Sequence, residues 1–238
     1  MKRISLAAAI AAISGTVFAG GAFDGPFVQL GIGGVGTQNN VSYQGDTATV
    51  LNFVGVNTNQ TTNGGSFVGR VDAGWSQAID KFNLAGGLFY VIGNQDSGSN
   101  SFSRTYTSGS NTATLAGNQT FKLENSWGIN VEPGYYITEK TLGYLKFSWF
   151  NSSVNANSNV SASYTINGQS GSIGAGTTTN NTVNGAGFGL GAKQMFTDNV
   201  YGYVEYQYVQ YGSTTDNNAG ASYKPNQNYG MVGLGYKF

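Results

Sequence analysis

Large apolar residues recur at every second position in eight separate stretches of the chain, divided by runs of Asn, Ser, Thr and Gly. A period of two puts alternate side chains on opposite faces of an extended chain, so each stretch predicts a β-strand with one apolar face. In residues 27–35, Val28, Leu30 and Ile32 oppose Gln29, Gly31 and Gly33. In residues 66–76, Phe67, Gly69, Val71, Ala73 and Trp75 oppose Val68, Arg70, Asp72 and Gly74. Residues 82–92 gather Phe82, Leu84, Leu88, Tyr90 and Ile92 on one face. Residues 120–137 set Phe121, Leu123, Trp127, Ile129, Val131 and Tyr135 against Lys122, Glu124, Ser126, Asn130 and Glu132. Pro133 cannot donate to a ladder and predicts a bulge or strand end there. Residues 142–151, 185–196, 200–210 and 229–238 alternate in the same way.

The connections are of two kinds. Short turns at 77–81, 138–141 and 197–199 alternate with long polar segments at 36–65, 93–119, 152–184 and 211–227. This predicts an all-β fold: an eight-stranded antiparallel up-and-down transmembrane barrel with four long extracellular loops and three short periplasmic turns. The last strand, 229–238, ends the sequence on an aromatic residue and is expected to close the ring against 27–35.

Charge separates a membrane barrel from a soluble sandwich, which would also alternate. Nine of the twenty charged residues after Ala19 fall on predicted strands, all opposite the apolar set: Arg70, Asp72, Lys122, Glu124, Glu132, Lys146, Lys193, Glu205 and Lys237. These are expected to point into a lumen. The apolar faces carry aromatics near both ends: Trp75, Phe82, Tyr135, Phe196, Tyr236 and Phe238 on the short-turn side, and Tyr90, Phe121, Trp149, Phe188 and Tyr208 on the loop side. Two such belts suit two membrane interfaces, with lipid as the partner of the outer face. Trp127 falls between them in this alignment.

Composition narrows the function. The chain has 238 residues, 37 Gly, 3 Pro, no Cys and no His, and a formal net charge of zero. Without Cys there is no disulfide, thiolate metal site or lipoprotein anchor, and without a basic run there is no nucleic-acid footprint. Lys2 and Arg3 followed by the apolar run 4–13 and Val17-Phe18-Ala19 predict a signal peptide over 1–19, with Ala22 as a second cleavage position and 20–238 as the barrel domain. Export in turn predicts the outer membrane of a Gram-negative bacterium. No later run reaches the roughly 18 apolar residues of a membrane helix.

The chain resembles the small outer-membrane β-barrel family that includes the OmpA-type transmembrane domain and the opacity-type surface proteins. The resemblance covers essentially all of 20–238. It rests on Phe27-Val-Gln-Leu-Gly-Ile-Gly33, on Phe196-Thr-Asp-Asn-Val-Tyr-Gly-Tyr-Val-Glu-Tyr-Gln-Tyr208, and on the last strand. It implies an assembly signal at Gly233, Tyr236 and Phe238, read by the outer-membrane assembly machinery, although Met231 stands where a polar residue is usual. The periplasmic peptidoglycan-binding domain of longer OmpA-type proteins is not expected here. Barrel enzymes that resemble this chain use a histidine, so the resemblance and the missing His together imply no enzyme.

No cofactor is expected. Gly31-Ile-Gly33-Gly-Val-Gly36 matches a dinucleotide pattern, but Thr37-Gln-Asn-Asn40 opens no helix after it, so these are small residues in a narrow barrel. An unusual catalytic carboxylate pair would have to come from Asp72, Glu124, Glu132 and Glu205. The lumen charges are instead expected to pair: Glu132 with Lys146, Lys193 diagonally with Glu205, and Arg70 with Asp72 along one strand. An eight-stranded barrel is filled by its own side chains. The reading is therefore a structural or surface-interaction protein with a plugged lumen and polar loops that could meet a surface ligand. The alternative is a narrow porin passing small ions or solutes, and a secreted soluble adhesin stands third.

Overall fold

The computed structural model describes residues 21–45, 57–216 and 220–238. The expected signal peptide, 1–19, lies outside them. The strands are β1 (Gly25–Tyr43), β2 (Asn59–Ile79), β3 (Phe82–Ile92), β4 (Gln95–Ser108), β5 (Asn111–Thr138), β6 (Thr141–Ile166), β7 (Gln169–Met195), β8 (Val200–Tyr211), β9 (Thr214–Asp216) and β10 (Ala221–Lys237). Eight of them form a closed antiparallel ring, β1-β2-β3-β5-β6-β7-β8-β10, and β10 returns to pair with β1 from Phe27↔Lys237 to Tyr43↔Ala221. β4 prolongs β3 alongside β5, after a break at Gly93 whose φ is 116°. The short β9 pairs with the start of β10.

The strand faces follow the alternation. On β8, Tyr201, Tyr203, Glu205, Gln207, Val209 and Tyr211 are buried inside, while Val204, Tyr206 and Tyr208 point out. On β3, Phe89 and Val91 are inside while Leu84, Leu88, Tyr90 and Ile92 are out. The outward set is aliphatic and aromatic all round the ring, which only a lipid surface suits.

One strand departs from the expected faces, and its departure is local. Asn125 has φ of 51°, and the β5–β6 register slips between Glu124 and Trp127, so β5 carries one residue more than its partner. A bulge of this kind reverses the face of everything beyond it. Phe121 and Leu123 are therefore buried inside, and Lys122 and Glu124 face outward. Neither is a lumen charge, and Phe121 does not belong to an aromatic belt: its ring stacks on Tyr223 at 5.8 Å. At Pro133, where a bulge or strand end is expected, β5 instead runs on with its register unbroken from Val131↔Phe147 to Gly134↔Tyr144.

Trp127 takes the vacated place in the outer belt, opposite Tyr90 on β3 and edge-on to Trp149 at 5.8 Å. With that exchange the belts become regular. Phe67 and Trp75 on β2, Phe82 and Tyr90 on β3, Trp127 and Tyr135 on β5, and Phe188 on β7 with Phe196 just past its end all stand eight residues apart. At about 3.4 Å per residue and a tilt of about 40°, eight residues span roughly 21 Å of membrane, close to the apolar band of such barrels.

The segments expected as long loops are in large part strand. β5, β6 and β7 run well past the outer belt, and Asn167-Gly168 turns β6 into β7 with both residues at positive φ. Sequence alternation misses this because, above the membrane, the outer face no longer needs apolar residues. There the rows are held by side-chain ladders such as Asn151–Asn184 at 2.9 Å, Asn155–Asn180 at 2.9 Å and Thr178–Asn157 at 2.7 Å. The inner face still carries Val41, Val154, Ala156 and Val183, all buried.

The bulge supplies a test. Asn125 tolerates positive φ and its Oδ1 accepts the Tyr90 hydroxyl at 3.2 Å. Asn125→Val should lower stability by about 1–3 kcal/mol, and Asn125→Gly by less, in urea unfolding in lipid followed by tryptophan fluorescence. Equal stability of the two variants would contradict the bulge assignment.

Candidate functional site

The lumen is the place where polar chemistry is gathered. Inward positions on β2, β5, β6, β7 and β8 bring together Arg70, Asp72, Glu132, Lys146, Lys193 and Glu205, all buried. Three are cations and three anions, so the cluster is formally neutral. Lys146 Nζ is its hub, 2.8 Å from Glu205 Oε2, 2.9 Å from Glu132 Oε1 and 3.5 Å from Asp72 Oδ1. Arg70 holds Asp72 at 2.9 Å and Glu205 at 3.2 Å, and Lys193 holds Glu132 at 2.6 Å.

The pairs Glu132–Lys146 and Arg70–Asp72 are the expected ones. Lys193 differs: it pairs with Glu132 rather than with Glu205, which is taken by Lys146 and Arg70. Its ammonium also sits 4.8 Å from the Tyr144 ring centre and 5.2 Å from that of Phe27. Neutral groups complete the shell. Tyr144 donates to Glu205 at 2.9 Å, Asn130 to Asp72 at 3.0 Å, and Arg70 to Gln207 at 3.2 Å. The Arg70 guanidinium lies 4.1 Å above the Phe89 ring. Burying ions is costly, and only a mesh of opposite charges and hydrogen bonds offsets it.

Above the charges the lumen is closed by rings. Phe89 and Phe150 meet at 4.6 Å, and Phe150 stacks on Tyr229 at 5.9 Å. Over them lies an uncharged network: Gln95 donates to Ser126 at 3.0 Å, Gln227 to Gln95 at 2.8 Å, Tyr229 to Gln95 at 2.8 Å and Tyr211 to Gln227 at 2.8 Å. Phe121, Leu123, Val154 and Tyr223 fill the next level. Close approach requires glycine at two points, since a methyl on Gly31 would strike the Tyr203 hydroxyl and one on Gly191 the Tyr144 ring. Within the Gly31–Gly36 run, packing accounts for the inward Gly31 and Gly33, while Gly34 and Gly36 have open space beside them.

The opposite mouth is closed by the amino-terminal segment. Phe23 is buried, with Tyr201 at 5.5 Å and Tyr136 at 6.0 Å. Its N–H donates to the Tyr136 hydroxyl at 3.2 Å, and Asp24 Oδ1 accepts the Ala78 N–H at 2.5 Å. Partial burial raises the Asp24 carboxyl above its ordinary value, against the pull of that backbone bond. Sequence reasoning did not single out Phe23; it lies outside the alternating strands and carries no motif.

The remaining expected site residues sit elsewhere. Lys122 meets Asp96 at 3.7 Å on the outer surface, both side chains more than 40% exposed, a pair of small energetic weight. Lys237 is at the short-turn rim, where its N–H donates to the Asn199 carbonyl at 2.8 Å. In the last strand, Gly233 faces inward against Tyr203, while Tyr236 and Phe238 face outward with rings 5.0 Å apart. Of the four candidate catalytic carboxylates, Glu124 faces away and the other three are buried and held by cations.

Lys146 is the most informative position to change. Lys146→Met leaves three buried carboxylates against two cations and should cost about 3–5 kcal/mol in urea unfolding. Adding Glu205→Gln restores neutrality and should return part of that loss. An unchanged midpoint in the single variant would contradict the network.

No protein-family model and no curated protein sequence matches the chain. Among solved structures it is similar to Neisserial surface protein A, at 15% identity over 90% of this chain and 97% of that one, with a TM-score of 0.38. Ail, the attachment invasion locus protein of Yersinia pestis, is 14% identical over 90% of this chain and 99% of its own, with a TM-score of 0.35. The outer membrane protease OmpT of Escherichia coli is 11% identical over 91% and 97%, with a TM-score of 0.44.

Proposed function

We propose that this protein is an integral outer-membrane barrel whose role is structural or one of surface interaction, with a lumen that does not conduct. The observation that carries this reading is the filled interior: a neutral six-residue ion cluster under the Phe89–Phe150 contact and a Gln/Tyr network. Narrow barrels fill their lumen with side chains, and paired charges leave no uncompensated site to attract a passing ion. The outer apolar band between two aromatic belts supports residence in the membrane, and export of residues 20–238 behind a cleaved signal peptide fits it.

A non-enzymatic role fits the absence of histidine and the neutralised carboxylates. OmpT is a protease, but its likeness to this chain is one of fold alone. The strands that rise beyond the outer belt are the natural place for a partner, because they stand on a rigid scaffold clear of lipid. Their basic residues Arg104, Lys122 and Lys224 lie apart on β4, β5 and β10, so no anion-binding patch forms among the described residues. Gly233, Tyr236 and Phe238 serve as the signal for assembly.

Planar-bilayer recording of the purified, refolded protein should give no reproducible channel steps. Regular steps from protein that keeps its heat-modifiable mobility would overturn the closed-lumen reading in favour of a narrow porin.

A further inference from the structure

Beyond the outer belt the ring gives way to an open sheet. β4 pairs with β5 up to Ser108↔Asn111, β5 with β6 up to Thr112↔Thr165, and β6 with β7 up to Ile166↔Gln169. Trp149 marks the outer belt on β6, and Ile166 lies seventeen residues further on. At about 3.4 Å per residue that is roughly 58 Å of strand, or about 44 Å of height at a 40° tilt, so lipid cannot cover its tip.

The two faces of this sheet differ. One carries the hydroxyl and amide ladders, Thr105–Thr114 at 2.9 Å and Thr165–Ser170 at 2.8 Å among them. The other continues the lumen-facing parity and carries Leu115, Val160, Ala162, Tyr164, Ile166 and Ile173. Arg104, Leu115, Ala162 and Ile173 form one cross-strand row, cationic at its β4 end and apolar from β5 to β7, where it ends. Ile173 is 70% exposed, and Tyr164 and Ile166 are 42% and 48% exposed.

The main chain of β7 is open at the same place. β7 pairs with β6 along its whole length but with β8 only from Gly185↔Tyr211 onward. Residues 169–176, Gln-Ser-Gly-Ser-Ile-Gly-Ala-Gly, have no strand on the side away from β6 among the described residues. Exposed edges are ordinarily guarded by Lys, Pro or a bulge. This one has no charge, no proline and no register break. Among the described residues, an unguarded ladder and an uncovered apolar row thus meet at Ile173.

We propose that the β7 edge at residues 169–176 is a docking site for an extended, uncharged segment of another protein with apolar side chains at every second position. Added as a fifth strand, such a segment takes up the free N–H and C=O groups of β7, and its apolar side chains lengthen the Leu115–Ala162–Ile173 row. Ladder bonds supply affinity for any extended chain; the apolar row selects the alternating pattern, and the uncharged edge offers nothing to a charged one. This rests on the surface-interaction reading above, yet the test reads binding and not conductance, so the two can fail separately.

The probe is a fluorescent peptide as long as the free edge, alternating Val and Thr, with a lysine tail for solubility. It is titrated against the whole protein in lipid nanodiscs by fluorescence anisotropy. The alternating peptide should bind, and both its fully N-methylated form and a form with its valines in one block should bind at least about tenfold more weakly. Ile173→Lys should weaken binding by about tenfold or more, while Ser172→Lys, which puts the same charge on the polar face, should not. Heat-modifiable mobility confirms that both variants are folded. No binding to the folded wild type, equal binding of the N-methylated peptide, or equal loss in the two lysine variants would overturn the proposal. So would sedimentation showing dimers of the chain that Ile173→Lys dissolves, since the edge would then belong to a second copy.

Discussion

Everything in this molecule depends on β10 pairing with β1. A sheet in hydrocarbon has no water for its unpaired N–H and C=O groups, so it must have no edges at membrane depth. The β1–β10 register meets that demand from Phe27↔Lys237 upward, and one further bond extends the seam, Phe238 N–H to the Pro26 carbonyl at 3.0 Å, while the Asn199 side chain ties the start of β8 to the Lys237 carbonyl at 2.8 Å. Closure fixes which residues are inside, and a ring of eight fixes how little room they have. The neutral ion cluster, the glycines beneath tyrosine rings and the Phe23 stopper all follow from that small bore.

The same constraint explains why the upper part of the molecule is different. Above the outer belt, water can satisfy an unpaired main chain, and the ring is free to open. β8 ends at Tyr211 while β5, β6 and β7 continue, so the sheet acquires an edge where an edge is affordable. The molecule is then divided by height: a closed ring with its buried charges paired below, and a sheet with an unpaired edge above.

Much of this was legible in the sequence. Period-two alternation located all eight ring strands, and Arg70, Asp72, Glu132, Lys146, Lys193 and Glu205 fell on the inner face as expected because nothing interrupts the alternation near them. Lys122, Glu124 and Phe121 were misplaced because one residue, Asn125, reverses parity between them and Trp127. A clue was present: Trp127 fitted neither belt under an unbroken alternation, and an eight-residue spacing to Tyr135 restores it. Lys193 chose Glu132 because registers across three strands, not across one turn, set lumen neighbours. The strand extensions were hidden because Asn, Ser and Thr rows pair as well as apolar ones once lipid is gone, and hydropathy cannot tell them from loops.

Two aromatic belts set the barrel in the membrane, and the chain's 3 tryptophans report on them without mutation. Trp75 belongs to the inner belt, and Trp127 and Trp149 to the outer. Tryptophan fluorescence of the folded protein should be measured in vesicles of lipids brominated either near the headgroup or deep in the acyl chain. Stronger quenching by the shallow label is the result this account predicts; stronger quenching by the deep label, or none by either, would contradict it.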